Sequence, residues 1–213
     1  MGPAAIVLAA GRSERMGRPK ALLDFRGQPF IVRILQALEA LDVKLRVVVL
    51  GPDAPRIRPV LAAHECLIIE PPPPPSPLPG AATTLSREIE SLKAALVAVR
   101  PLLPQSALAW PVDLPHVRVD TIQRLLEGHA RTGAAAVVPT FADRPGQPVL
   151  WDQALFDELQ VSPLAARNGA GAILEAHGSD VLAVAVDDPA VLDDLNTPQD
   201  YERLVRELNR DIF

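Results

Sequence analysis

Cysteine is almost absent from this chain of 213 residues, which contains a single one, Cys66. One cysteine cannot form an internal disulfide, and we expect it to be buried as a small apolar residue. The chain also lacks any pair of cysteines or histidines at the spacing of a zinc site, and its four histidines form no Ser-His-Asp or Cys-His grouping. These absences argue against a disulfide scaffold, a structural zinc domain and catalysis by a side-chain nucleophile.

Long apolar runs and an excess of positive charge are missing as well. No apolar run approaches the roughly 20 residues of a membrane helix, and the N-terminus lacks the basic region of a signal peptide. The formal net charge of −5 argues against a general binder of nucleic acid or membrane surfaces, which would carry a basic face. We therefore expect a cytoplasmic protein with neither kind of partner.

What the sequence does contain is an alternation of strand-length apolar runs with segments of helical period. Strands are expected at 4–10, 45–50, 66–69, 108–112, 135–139 and 181–186, and helices at 29–41, 55–63, 86–99, 119–129 and from Pro198 onward. The segment before the last strand holds two more short helices, and the prolines of 71–79 form one loop. The alternation predicts an α/β fold, a single-domain, Rossmann-like three-layer sandwich with a mostly parallel sheet over residues 1–213.

The loop after the first strand, within 8–23 (LAAGRSERMGRPKALL), is rich in glycine and positive charge. Ligands of such sheets lie beyond the carboxyl ends of the strands. Glycine turns can direct backbone N–H groups at phosphate oxygens, and Arg12, Arg15, Arg18 and Lys20 add positive charge. The spacing is that of neither a Walker A loop nor a dinucleotide-binding G-x-G-x-x-G turn. The loop therefore predicts a polyphosphate site of another kind.

This loop resembles the L-A-[AG]-G-x-S-x-R-M-G-x-x-K signature of the MobA-like nucleotidyltransferases and, more narrowly, of the molybdenum cofactor cytidylyltransferases. Three further elements resemble that family in the same order, namely Asp-Leu-Pro at 113–115, GQPVLW at 146–151 and DLNTPQDY at 194–201. The resemblance implies transfer of a nucleoside monophosphate from an NTP to a phosphorylated acceptor, with release of pyrophosphate. It implies CTP as the donor, molybdopterin-type cofactor as the acceptor, Mg²⁺ as the cofactor, and a transient contact with a molybdenum enzyme or its chaperone.

Site roles follow from residue chemistry and from the resemblance together. Arg15 and Lys20 suit the neutralisation of a leaving pyrophosphate. Asp113 follows an apolar strand and suits Mg²⁺, although it could instead cap the helix at Val119. By resemblance Asn196 is the second metal ligand, with Asp194 as the alternative. The expected nucleotide-binding residues are Leu8, Ala9, Ala10, Gly11, Arg12, Ser13, Gly17, Lys20 and Ser91.

The sequence departs from the family pattern at two places. Where the family has a G-M-x-x-S-L turn that contacts the base, this chain reads REIESL at 87–92, which keeps Ser91 and loses the glycine. Gln147 stands where the family has histidine, so it is expected, together with His116, to contact the acceptor. Thr197 and Asp200 suit the start of a helix, whereas Asp187, Asp188 and Asp193 are expected to form a solvated acidic loop.

Three functions remain open at this stage. The family's guanylyl-transferring members tend to read Leu-Ala-Gly-Gly where this chain reads Leu-Ala-Ala-Gly at 8–11, so Ala10 favours CTP. A guanylyl- or uridylyltransferase for another phosphorylated metabolite is the second reading. The third is a chaperone that carries nucleotide or pterin without turnover, against which the presence of both Lys20 and Asp113 argues.

Overall fold

An eight-stranded sheet runs through the computed structural model, which describes residues 2–72 and 83–210. Most of the proline-rich loop predicted at 71–79 thus lies outside the described residues. The strands are β1 (Ala4–Ala9), β2 (Asp24–Phe25), β3 (Gln28–Pro29), β4 (Leu45–Leu50), β5 (Leu67–Ile69), β6 (Ser106–Pro111), β7 (Ala136–Phe141), β8 (Arg144–Pro145), β9 (Val149–Asp152) and β10 (Val181–Ala185). Strands β2 and β3 form a separate hairpin.

The main sheet has the order β10-β7-β9-β6-β1-β4-β5, with β8 paired to β7. Strand β1 lies in its interior, parallel to β4 and β6, and β10 is parallel to β7. Strand β9 lies between β6 and β7 and is antiparallel to both, so that β7 runs in the same direction as β6. The predicted single-domain α/β fold with a mostly parallel sheet is confirmed.

Helices cover both faces of this sheet. They are α1 (Phe30–Ala40), α2 (Ala54–Leu61), α3 (Thr83–Val99), α4 (Val119–Thr132), α5 (Phe156–Val161), α6 (Pro163–Asn168), α7 (Gly171–Ala176) and α8 (Pro198–Arg210). One hydrophobic core lies under α1, α2, α4 and α8, and a second under α3, α5, α6 and α7. In the described part of the chain no helix is long and apolar enough to cross a membrane.

The sequence of β1 shows why this interior strand reads as a continuous apolar run. Ala5, Val7 and Ala9 point into the first core, and the alternate residues of the strand point into the second. Successive side chains of a strand face opposite sides, so a strand covered on both faces needs apolar residues throughout. All six residues of β1 are buried accordingly.

The acidic stretch before α8 differs from the expectation of a solvated loop. Asp188 is buried, with 2% of its surface exposed, and its carboxylate accepts hydrogen bonds from Arg118 N (2.9 Å), Thr121 Oγ1 (2.8 Å) and Ala190 N (3.3 Å). A carboxylate can be buried when backbone and hydroxyl donors replace its water. Asp188 therefore ties the loop after β10 to the first turn of α4. Asp187 is exposed, as predicted.

Cys66 is half-buried rather than fully buried, because it directly precedes the short edge strand β5. Its side chain packs against the first core, and burial raises the pKa of its thiol although Arg46 opposes the shift. A thiol of this kind is less reactive than an exposed one.

Candidate active site

A cavity of about 930 Å³ opens at the carboxyl ends of β1 and β6, where the fold class predicts a ligand. Its walls come from several regions of the chain. These are the loop after β1, helix α3, the turn after β6, the β7–β8 hairpin with the segment that follows it, the α6–α7 region, and the segment before α8. The lining includes the predicted nucleotide-binding residues Leu8, Ala9, Ala10, Gly11, Arg12, Ser13, Lys20 and Ser91.

The loop after β1 is folded by its own hydrogen bonds. Ser13 has a left-handed backbone (φ +50°), and its carbonyl accepts from Met16 N (2.9 Å) and Gly17 N (3.1 Å). The Ser13 hydroxyl accepts from the backbone N–H of Lys20 at 3.0 Å. Gly17 is itself left-handed (φ +71°), which glycine tolerates best, but it does not line the cavity. Gly17 thus ends the turn, and its contact with the nucleotide stays a prediction.

The positive charges of this loop point in different directions. Arg12 and Arg15 line the cavity and are exposed, and Arg12 forms a 3.8 Å ion pair with Glu14. The Arg18 guanidinium instead forms a cation–π contact with Tyr201 on α8, at 5.3 Å from the centre of the ring. Arg18 thus joins the loop to α8.

Lys20, Asp113 and Asn196 meet at the mouth of the cavity. The Lys20 Nζ donates to Asp113 Oδ2 at 2.7 Å and to Asn196 Oδ1 at 2.8 Å. The Lys20 and Asp113 side chains are 13% and 21% exposed, so the ion pair is largely shielded from water. The structure thus brings together three of the predicted site residues that lie 93 and 176 positions apart in the chain.

Asp113 is held by a tight turn at the end of β6. Leu114 N donates to Pro111 O (3.2 Å), and the buried Trp110 indole donates to Leu114 O (3.0 Å). The helix α4 begins only at Val119, and Asp188 accepts from the backbone N–H of Arg118 at its start. The alternative role of Asp113 as the cap of α4 is therefore not observed.

Asn196 is held by the predicted start of the last helix. The Asp200 carboxylate accepts from Asn196 N (3.1 Å), Thr197 N (2.8 Å) and Thr197 Oγ1 (2.7 Å), and Thr197 Oγ1 accepts from Asp200 N (3.3 Å). This reciprocal pattern is a capping box with Asp as its acid. The side-chain hydrogen bond from Thr197 is the main cause that lowers the pKa of Asp200.

The oxygen atoms of Asp113 and Asn196 fit a divalent cation. They already converge on one positive atom, the Lys20 Nζ, and both are hard oxygen donors. Among the described residues, no group of three or more His, Cys, Asp or Glu side chains is arranged to hold a metal. Two protein oxygens suit Mg²⁺, which is commonly bound through one or two carboxylates plus the phosphates of its substrate. Asp194 also lines the cavity, but it is Asn196 whose side chain shares Lys20 with Asp113.

The wall formed by α3 contains one residue that the sequence reasoning missed, Glu88. It lines the cavity beside the buried Ser91, one residue after the Arg87 that replaces the family's glycine. Burial raises the pKa of Glu88, and the negative charges of Asp113 and Asp194 add to the shift while Lys20 opposes it. The signal that could have found it is an acidic residue at the position where the family pattern has methionine.

Another wall is the β7–β8 hairpin and the segment after it, with Arg144, Gly146 and Gln147 in the lining. Gln147 N donates to Val191 O at 2.8 Å, and a Cβ on Gly146 would lie only 2.4 Å from the same oxygen. Glycine is therefore required where this segment packs on the loop before α8. Gln147 reaches the cavity as predicted, and the bond that follows it, to Pro148, is cis. Arg144 was missed because an isolated arginine in a two-residue strand has no distinctive pattern.

His116 does not line the cavity, in contrast to its predicted contact with the acceptor. Its side chain is 10% exposed, and Nε2 lies 2.7 Å from Oδ2 of Asp193, which does line the cavity. The turn after Asp113 directs the ring toward the loop before α8 instead. His116 is thus linked to the cavity lining through Asp193. Asp193 was expected to be solvated and is paired instead.

The family model of the MobA-like NTP transferase domain matches residues 5–181 of the chain. The chain belongs to this family. The match includes the loop after β1, Asp113 and the β7–β8 hairpin, whereas Asn196 lies beyond it. The resemblance drawn from the sequence motifs is confirmed at the level of the family.

Two proteins with sequences similar to this chain have different names. The bifunctional protein GlmU of Bifidobacterium animalis subsp. lactis is 31% identical over 147 residues, which are 67% of this chain and 30% of that protein. The chain thus spans about a third of the length of this relative. The molybdenum cofactor guanylyltransferase of Sinorhizobium fredii is 29% identical over 219 residues, covering 97% of this chain and 92% of that protein.

A solved structure with the same fold is that of Rv0371c from Mycobacterium tuberculosis H37Rv. It matches with a TM-score of 0.77 and 25% identity, over 97% of this chain and 99% of that one. A second structure of Rv0371c, described as a complex with manganese, has a TM-score of 0.73 and the same identity and coverage.

Proposed function

We propose that the chain transfers CMP from CTP to the phosphate of a molybdopterin-type acceptor and releases pyrophosphate. One observation carries the proposal, namely the meeting of Lys20, Asp113 and Asn196 at the mouth of a cavity lined by the loop after β1. Nucleotidyl transfer depends mainly on the placement of charge around phosphates, and this meeting point supplies both signs of charge.

In the proposed reaction an oxygen of the acceptor phosphate forms a bond to the α-phosphorus of the nucleotide. The bond from that phosphorus to the bridging oxygen breaks, and pyrophosphate leaves with the electron pair. An acceptor phosphate is already an anion at neutral pH, so no side chain needs to remove a proton from it. Arg15 and Lys20 hold the β- and γ-phosphates and neutralise the departing charge.

Asp113 and Asn196 are the proposed ligands of Mg²⁺. A bound divalent cation would offset negative charge on the phosphate oxygens and help to orient them. The manganese in a structure of Rv0371c supports the use of a divalent cation in this fold.

The acceptor is assigned to the wall of the β7–β8 hairpin. In-line transfer requires the acceptor phosphate to approach from the side opposite the pyrophosphate. Arg144 and Gln147 line the wall of the cavity that is formed by a different region from the phosphate loop. We therefore assign Arg144 to the acceptor phosphate and Gln147 to a hydrogen bond with the acceptor.

Transfer of GMP is the second candidate. The relative from Sinorhizobium fredii, which aligns with 97% of this chain, is a molybdenum cofactor guanylyltransferase. Pyrophosphate release should be measured with each of the four NTPs, with and without molybdopterin. We expect release with CTP that depends on molybdopterin. Release with GTP but not with CTP would favour the second candidate. Release at the same rate with and without molybdopterin would indicate another acceptor. Binding of nucleotide or molybdopterin without any release would indicate a carrier and refute the enzyme.

A further inference from the structure

The amino group of Lys20 occupies the position that the proposed function gives to the metal. Its Nζ lies 2.7 Å from Asp113 Oδ2 and 2.8 Å from Asn196 Oδ1. A magnesium ion bound to the same two oxygens would stand about 2.0–2.1 Å from each of them. The ammonium group and the metal therefore compete for these two oxygens, and their positive charges repel each other.

Lys20 is held in this position by its backbone. Its N–H donates to the Ser13 hydroxyl at 3.0 Å, and the preceding Pro19 is buried. Only the last part of the four-carbon side chain needs to turn for the ammonium group to leave Asp113. The loop can thus keep its fold while the charged end of Lys20 moves.

The charges around Lys20 favour its position beside Asp113. Glu88 interacts electrostatically with Asp113, with Asp194 and with Lys20, so Lys20 supplies positive charge to a group of carboxyl groups. A triphosphate that enters along the loop after β1 would bring a larger negative charge to the same place. The ammonium group could then bind the phosphate oxygens instead of the oxygens of Asp113 and Asn196.

We propose that Lys20 closes the metal site of the nucleotide-free protein, so that the divalent cation binds together with the nucleotide and not before it. The inference rests on the proposed function, because it takes Asp113 and Asn196 as the metal ligands. It assigns Lys20 a positioning role that precedes its contact with the leaving pyrophosphate. The order of binding follows from the competition between two cations for one pair of oxygens.

The test measures Mn²⁺ binding to the nucleotide-free protein by electron paramagnetic resonance of the free ion. Lys20→Met removes the charge at similar length, and Lys44→Met removes one charge from a side chain that is 80% exposed next to the start of β4. We expect Lys20→Met to bind Mn²⁺ at least tenfold more tightly than the wild type, and Lys44→Met to match the wild type. Equal affinity of Lys20→Met and the wild type would overturn the inference.

A double variant separates this inference from the proposed function. The double variant Asp113→Asn/Lys20→Met should not show the increase in Mn²⁺ affinity that Lys20→Met alone shows. The reason is that the metal admitted by Lys20→Met needs the carboxylate of Asp113. If the gain persists without Asp113, the metal binds elsewhere and the proposed metal ligands are wrong. If the gain never occurs while Asp113→Asn still weakens Mn²⁺ binding in the presence of a non-hydrolysable CTP analogue, only the inference fails. Circular dichroism checks each fold, and Lys20→Ala replaces Lys20→Met if the latter does not fold.

Discussion

At the scale of single residues, the four cations of the loop after β1 have separate tasks that the sequence does not distinguish. Arg12 and Arg15 face the cavity, Arg18 lies against Tyr201, and Lys20 binds Asp113 and Asn196. The motif predicted where the positive charge is, because it follows a buried strand directly. Which side chain turns inward depends on two 3-10 turns of the loop, Glu14–Met16 and Lys20–Leu22, and on α8, and residue type alone does not reveal that.

Ala10 is the residue on which the proposed preference for CTP rests. It lines the cavity directly after β1, and in the proposed binding mode its β-carbon narrows the space for the base. We expect the wild type to favour CTP over GTP and Ala10→Gly to reduce this preference, since a change of one methyl group is worth about 1–3 kcal/mol. Competition kinetics with both nucleotides measure the ratio of kcat/KM values. A wild type that favours GTP would contradict the steric argument.

Glu88 makes the stability of the folded protein depend on pH. Its pKa is raised in the folded protein, mainly by burial, so the folded state binds its proton more tightly than the unfolded state does. Its contribution to stability is therefore complete below the ordinary pKa of 4.5 and is lost as pH rises through the raised value. We expect Glu88→Gln to gain in Tm relative to the wild type as pH increases from about 4.5 to 8.

The matched control is Glu90→Gln, on the same helix and with a side chain that is 48% exposed. Its Tm relative to the wild type should change little over the same pH range. Thermal unfolding in a pH series measures both differences. The same trend in both variants would show that burial of Glu88 is not the cause.

At the scale of elements, the strands that are buried on both faces were the ones that the sequence predicted best. The prediction for 45–50 coincides with β4, and that for 4–10 is one residue longer than β1. Strand β9 was missed as a strand because its four residues are too few to show a period, and its antiparallel pairing depends on β6 and β7. The short β2–β3 hairpin was missed for the same reason.

Asp188 joins the loop after β10 to α4 and is therefore expected to matter for stability rather than for chemistry. Asp188→Ala would leave the N–H of Arg118 and the hydroxyl of Thr121 without their buried acceptor. The expected loss is about 2 kcal/mol of unfolding free energy, which corresponds to a fall in Tm of about 4–8 °C for a chain of this size. Thermal unfolding measures it, with Asp187→Ala at the exposed neighbour as the control. A loss no larger than that of the control would refute the capping role.

At the scale of the whole molecule, the site is assembled from segments that are distant in sequence. The four family-like motifs predicted which segments take part, and the parallel strands predicted that Asp113 would lie near the loop after β1. The sequence could not predict that Lys20 would stand between Asp113 and Asn196, nor that the ring of His116 would turn toward Asp193. Both depend on the path of the loop before α8, which is set by the capping contacts of Asp188 and Asp200.

Nucleotidyl transfer with Asp113 as a metal ligand is tested most directly by the rate of pyrophosphate release by the Asp113→Asn variant. Asparagine keeps the shape and can still accept from Lys20, so the fold should persist. With Mg²⁺, CTP and molybdopterin, the account predicts that Asp113→Asn loses at least about 100-fold in kcat, whereas Asp187→Asn, an exposed carboxylate outside the cavity lining, retains the wild-type rate. A folded Asp113→Asn protein that turns over within a few-fold of the wild type would contradict it.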